Sequence, residues 1–296
     1  FTVTLYFRAL FNPDLPTAFA HIWVASVETT LFFVGGISAW YILRRRNVEF
    51  FLKSFKIILI VALAATPLQI LLGDASGLTV GKYQPAKLAA MEAHWNTNPP
   101  GTGASWNLIA APDKAAQDNR WTVHIPYLLS ILSARSLTGR VTGLKDFPVA
   151  DQPPVVAPFY AFRVMFLLGF AMFFLALWAL WKWVRGRLKP ERAAEQRRFW
   201  WLWVIALPSG FIATEAGWIA REMGRQPWII YGLMRTSDGV SPIAPGATAG
   251  SLAAFVVLYS ALFALFVFFT RRILKAGPDL DSPLPRYGAP APRQGG

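Results

Sequence analysis

From Ala18 to Leu43 the chain is almost continuously apolar and stops at Arg44-Arg45-Arg46, a run long enough to cross a bilayer core of about 30 Å. Four further apolar runs follow, at Ile57 to Leu72, Val155 to Trp183, Phe199 to Ala220 and Ala247 to Thr270. The pattern predicts an all-α, polytopic bundle of five membrane spans, with Pro67 as the kink of the short second span. Ahead of the first span, Asn12-Pro13-Asp14-Leu15-Pro16 is a turn signal that prepares a helix start. Between spans two and three lies a polar stretch far longer than the ~15 residues at which structureless loops become uncommon in compact domains. Its aromatics Tyr83, Trp95, Trp106, Trp121 and Tyr127 and its apolar run Ile125 to Leu132 argue against disorder. The expected division is membrane (1–72), folded external cap (73–154), membrane (155–275) and a Pro- and Gly-rich disordered tail (276–296). Neither an internal repeat nor a heptad pattern is apparent.

Composition supports this class, because 54% hydrophobic against 15% charged residues lies outside the usual range of soluble domains. A net charge of +13 suggests nucleic acid at first sight. The basic residues, however, sit beside the spans, at Arg44 to Arg46, from Lys182 to Arg198, and at Arg271, Arg272 and Lys275. Five alternating spans put those three clusters on one side, which the positive-inside rule makes cytoplasmic. Cap and C-terminal tail then fall on opposite sides, and nucleic acid is discounted as a partner. With no cysteine, disulfides, iron-sulfur clusters, thiolate ligands and c-type haem attachment are excluded. No signal peptide is visible at Phe1.

The chain meets charge at Glu215 to Trp228, where an apolar helix runs into Glu215, Arg221, Glu222 and Arg225. Glu215 and Glu222, two turns apart, share a helix face that cannot point at lipid. The alternative is a helix end with its charges at headgroup level. Of the three histidines only His21 lies in a span, near the outer end of span one. It is either a packing residue or a ligand. As a ligand it needs a partner, and Met165 in span three is at a similar depth, so the two could form the His/Met axial pair of a low-spin haem; a gap-filling role for Met165 is the alternative. Arg163 then either pairs with a haem propionate or snorkels. Glu28 is a carboxyl inside span one with no evident pattern around it.

Several segments together resemble subunit I of cytochrome bd-type quinol oxidases. They are Glu215-Ala216-Gly217-Trp218 followed by Gly224-Arg225-Gln226-Pro227-Trp228, then Phe162-Arg163-Val164-Met165, Gly73-Asp74-Ala75-Ser76-Gly77 and Lys87-Leu88-Ala89-Ala90-Met91-Glu92-Ala93. The continuation Tyr231-Gly232-Leu233-Met234-Arg235-Thr236 is most similar to the cyanide-insensitive branch. The resemblance implies that His21 and Met165 are the axial ligands of a low-spin haem b. It makes Glu222 the ligand of a high-spin haem with Arg225 beside it, and Lys87 and Glu92 the quinol-site residues of the cap. It further implies a high-spin haem b, with haem d or a second high-spin haem b, in the complete subunit. Ubiquinol or menaquinol would be the substrate, O2 the acceptor, subunit II the partner, and the bacterial inner membrane the location. The family's subunit has nine spans, and these five resemble its fifth to ninth. The histidine of the other high-spin haem and the proton-path carboxylates belong to the first four, so residues 1–296 alone are expected not to reduce oxygen.

His94 and His124 match no ligand position of the family and are expected in the cap. Lys87 and Glu92 are five residues apart, which on an unbroken helix would set them about 140° apart. Either the helix breaks between them or they flank the quinone from different sides. Two other readings stay open on the sequence: a b-haem electron-carrier or anchor subunit, and an ion-coupled transporter using Glu28 and Glu215.

Overall fold

A computed structural model describes residue 7, residues 11–193 and residues 195–280. The tail expected to be disordered lies largely outside the described residues. The chain divides into two compact units, one ending at Gly239 and one beginning at Val240. Among the described residues, five helical segments are long and apolar enough to cross a membrane.

Helix α1, Leu15–Leu43, starts as expected, with Asn12 Oδ1 accepting from the amides of Asp14 and Leu15 at 3.0 and 3.2 Å and Pro16 in the first turn. Helix α2, Val48–Tyr83, is a correction to the short second span. It continues through Pro67 and past Leu72, so the first residues assigned to the cap are the last turns of a membrane helix. Nothing in Asp74 to Tyr83 breaks a helix, and charge alone does not end one. Helix α5, Val156–Val184, matches the third span.

The fourth span is two helices, α7, Arg197–Ala206, and α8, Ser209–Met223. Pro208 has no amide to donate and its ring excludes a continuous ladder, which accounts for the interruption at Leu207 and Pro208. A short helix, α6, Pro190–Ala193, precedes them. In the second unit, α9, Pro245–Ala276, extends the predicted fifth span at both ends.

Small residues bring the membrane helices of the first unit together. A Cβ placed on Gly36 would lie 2.7 Å from Leu207 Cβ, and one on Gly210 only 2.5 Å from Thr29 Cα. Against these contacts pack large rings. Phe32 stacks on Trp203 at 5.0 Å, and Phe55 meets Trp200 and Trp203 edge-on at 4.9 and 4.7 Å.

The cap is folded, with strands that the sequence pattern did not reveal. After α3, Pro85–Met91, the strands β1, Trp106–Asp113, and β2, Asp118–Ile125, form an antiparallel hairpin. Its turn is organised by Asp113, whose Oδ1 accepts from the amides of Ala115 and Ala116 at 3.0 and 3.2 Å while Arg120 bridges to its Oδ2 at 2.9 Å. Helix α4, Leu128–Ala134, follows. Two small apolar clusters hold these pieces: Ala86, Ala89 and Ala90 of α3 against Trp95, Leu144 and Phe159, and Trp106 with Leu129 and Val141. A second, minor ribbon pairs β3, Trp228–Ile230, with β4, Met234–Arg235. The all-α bundle therefore describes the molecule, with two small sheets added outside the spans.

Candidate functional site

Helix registers locate the two candidate axial residues. The contacts Gly36 to Leu207 and Thr29 to Gly210 run in opposite directions along the chain, so α1 and the α7–α8 pair are antiparallel. Stepping equally outward on both helices puts Gly217 level with Ile22. Met165 of α5 packs on that same Gly217, where a Cβ would meet its Sδ at 2.9 Å. His21 and Met165 therefore share a depth, on helices either side of α8.

On its other side the His21 ring lies over α2, with Cε1 3.2 Å from the Cβ position of Gly73 and Nε2 3.4 Å from Gln69 Nε2. His21 Nδ1 is buried with no hydrogen-bond partner among the described residues, and so are Gln69 Oε1 and Ser76 Oγ. A buried imidazole nitrogen left unpaired is costly unless something binds there. Among the described residues no three His, Asp or Glu side chains converge on a metal-ion site. Iron held here thus needs a group that brings most of its own ligands, and an imidazole and a thioether at one depth fit a haem.

Arg163, two residues before Met165 on α5, is 4% exposed. Its Nη2 donates to Glu92 Oε2 at 2.5 Å and its Nε to the Asn107 carbonyl at 2.8 Å. Trp106, Phe159 and Phe162 surround the guanidinium at 4.4, 4.6 and 5.3 Å. Nη1 is left without a partner among the described residues, so one edge remains for an anionic group. Asn107 Nδ2 completes the knot by donating to the carbonyls of Glu92 and Ala93 at 3.0 and 3.2 Å. Full burial pushes the Glu92 carboxyl above the usual carboxylate range, opposed by the charge and hydrogen bond of Arg163 and by Trp106.

Lys87 faces elsewhere. The helix α3 runs unbroken from Lys87 to Met91, and the amide of its C-cap Glu92 still donates to the Leu88 carbonyl at 3.0 Å, so no break separates the pair and the two side chains point into different surroundings. The Lys87 stem packs on Gly224, with Cγ 3.2 Å from the Cβ position there. Burial lowers its pKa to about 8; Arg221 and Arg225 push the same way, while Asp14 and Glu222 oppose them. Glu222, on the last turn of α8, is paired with Arg225 just beyond the helix end; both are partly exposed, and Arg225 Nε has no partner among the described residues. Arg221 donates to Asp14 at 2.6 Å, closing α8 onto the start of α1.

The structure thus makes two groups of the expected site residues. Lys87 joins Glu222 and Arg225, and Glu92 joins Arg163, two residues from Met165. Sequence reasoning missed Asn107, Trp106 and the Arg163–Glu92 pair. The signal for the pair was available, since an Arg inside an apolar run demands a counter-charge; for Asn107 there was none without the hairpin. Glu28 is buried in α1. His94 and His124 lie in the cap, His94 Nε2 at 3.2 Å from the Val141 carbonyl and His124 on β2. Burial lowers the His94 pKa.

Residues 1–278 match the family model for cytochrome bd terminal oxidase subunit I. The chain is 35% identical over 282 residues to cytochrome bd ubiquinol oxidase subunit 1 of Bacillus subtilis (strain 168), covering 92% of this chain and 58% of that protein. It is 29% identical over 342 residues to cytochrome bd-II ubiquinol oxidase subunit 1 of Escherichia coli (strain K12), covering 94% and 65%. Among solved structures, the bd oxidase from Geobacillus thermodenitrificans superposes with a TM-score of 0.79 at 32% identity, over 92% of this chain and 60% of that one. The chain therefore spans less than two thirds of the length of these relatives.

Proposed function

We propose, because this chain belongs to the cytochrome bd terminal oxidase subunit I family, that it is the quinol-oxidising part of a membrane quinol:oxygen oxidoreductase. The chain is a multi-pass membrane protein. It sits in the bacterial inner membrane with its cap outside, and works with subunit II and O2. His21 and Met165 hold a low-spin haem b, Arg163 offers its free edge to a propionate, and Glu222 with Arg225 serves a high-spin haem. A further high-spin haem, of d or b type, belongs to the complete subunit.

The bound haems supply one-electron steps; the side chains supply binding and proton handling. Ubiquinol or menaquinol must lose two protons as it loses two electrons. Lys87, charged below about pH 8, donates a hydrogen bond to one quinol oxygen and stabilises negative charge developing there. Glu92, its carboxylate held by Arg163, accepts the proton of the other hydroxyl, and the proton of the first leaves to the aqueous phase. Arg163 positions that carboxylate.

The observation that carries this reading is the buried Arg163–Glu92 pair, which ties the cap to the helix two residues before Met165. In the full oxidase with its partner subunit, Met165→Leu should abolish the reduced low-spin band or move its potential, and Lys87→Met should depress quinol oxidation with all haems retained. An unchanged low-spin spectrum and potential in Met165→Leu would overturn the ligand assignment.

A further inference from the structure

The carboxyl of Glu28 has no part in the reading above, yet it lies on the His21 side of the bundle. Seven residues separate the two on α1, which puts them on one face about two turns, or ~10 Å, apart. Glu28 is 2% exposed, and its Oε1 has no hydrogen-bond partner among the described residues. The α2 contacts of His21 with Gly73 and of Gly35 with Ile58 bring Ala65 and Thr66 level with it. The Thr66 hydroxyl donates to the Ala62 carbonyl at 2.9 Å. On α8 the level residues are Gly210 and Phe211, by the Thr29 contact.

The ionisable groups of the surrounding helices lie toward their ends. On α2 they are Glu49, Lys53 and Lys56 at one end and Asp74, Lys82 and Tyr83 at the other; on α7, Arg197 and Arg198; on α8, Glu215, Arg221 and Glu222; on α1 itself, His21 and Tyr41. Glu215 is the nearest in depth on α8, level with Val24, and is itself acidic. No cation of these helices stands at the level of Glu28. A dry carboxyl without a counter-charge is costly to keep at membrane depth, and such residues mark proton or ion pathways.

We propose that Glu28 is the group that takes up a proton when an electron reaches the haem held by His21 and Met165, an inference that rests on that ligand assignment. Glu28 gains one proton from the aqueous phase, forming an O–H bond, as the iron gains one electron from quinol. It returns the proton when the electron moves on. At ~10 Å and an effective dielectric constant of ~20, one added negative charge raises the proton affinity of a carboxyl by roughly tenfold. For one electron a tenfold change in affinity corresponds to about 59 mV. The low-spin potential should therefore fall by about that amount in total as pH rises through the window between the two affinities of Glu28.

The test is an absorbance-monitored redox titration of the low-spin haem, over a pH series, in the full oxidase with its partner subunit. The wild-type drop should vanish in Glu28→Gln and persist, with its window displaced, in Glu28→Asp. A Glu28→Gln protein that keeps both its low-spin spectrum and the wild-type drop overturns the proposal. Failure of the ligand assignment reads differently, as an unchanged low-spin haem in Met165→Leu. If Glu28→Gln takes up no haem, the reduced-minus-oxidised infrared spectrum of the wild type decides. A carboxyl C=O band that moves in Glu28→Asp supports the proposal, and the absence of such a band, or its failure to move, overturns it.

Discussion

Lys87 shows what it costs to bury a charge. Its pKa is lowered from 10.5 to about 8. Between those values the folded protein binds fewer protons than the unfolded chain, so stability rises with pH across that window, and the full cost, about 3 kcal/mol, is present below pH 8. Lys87→Met should therefore raise the melting temperature of the purified oxidase near neutral pH, while quinol oxidation at limiting quinol falls roughly tenfold or more, the loss of one charged hydrogen bond. Wild-type quinol oxidation should decline as pH rises through about 8, and a Lys87→Met protein should lack that inflection. Arg163 and Glu92 make the complementary case. Arg163→Met leaves a carboxylate buried alone and should destabilise the cap by about 3–5 kcal/mol, whereas the double variant with Glu92→Gln should recover most of the loss. Hydrogen exchange of residues 92–107 in the four proteins of that cycle measures it. At this scale the sequence identified His21, Met165, Glu222, Arg225, Lys87 and Glu92 as candidates. Their spacing also set the last two about 140° apart on an unbroken helix, and they do face different clusters; which clusters these are depends on the fold of the cap and of the loop after α8.

Among elements, the membrane helices were legible because about twenty consecutive apolar residues have few other uses. Their ends were less so. In α2, helix continues through Asp74 and Lys82, residues that read as loop by polarity alone. The β1–β2 hairpin was hidden because Trp106 to Pro112 carries two alanines and a proline instead of alternating β-branched residues, and its pairing depends on the turn at Asp113 and on packing against α3. The interruption at Pro208 sits beside the closest approach in the bundle. A Cβ on Gly210 would press on Thr29 Cα, which is backbone and cannot swing aside. Gly210→Ala should cost about 1–3 kcal/mol by forcing α8 off α1. Thermal melting of the variant checks it, and a melting temperature equal to wild type would show that the helices can slide to absorb the methyl group.

On the scale of the first unit, the loop after α8 is clasped to the cap. Arg235 pairs with Asp151, donates to the Ala150 carbonyl at 3.2 Å and lies 4.8 Å from the Trp228 ring. Both charged groups are partly exposed, so Arg235→Ala should change global stability by less than about 1 kcal/mol. It should nevertheless speed amide exchange in residues 228–239, the observable that separates a local clasp from a structural pillar. The pillar is α2. Its 36 residues make a rod of roughly 54 Å, against a bilayer core of about 30 Å. His21 rests against it at Gly73, and it runs unbroken to Tyr83 before the chain turns at Pro85 to present Lys87. The height of Lys87 above the His21 level is thus set by helical rise within one strut and owes little to the lipid around it. Electron-transfer rates fall steeply with distance. With quinol at Lys87 and haem at His21, as proposed, a gap fixed by a rigid strut lets the membrane thin, thicken or warm, and the bundle tilt in response, while the rate of the step across that gap stays nearly constant.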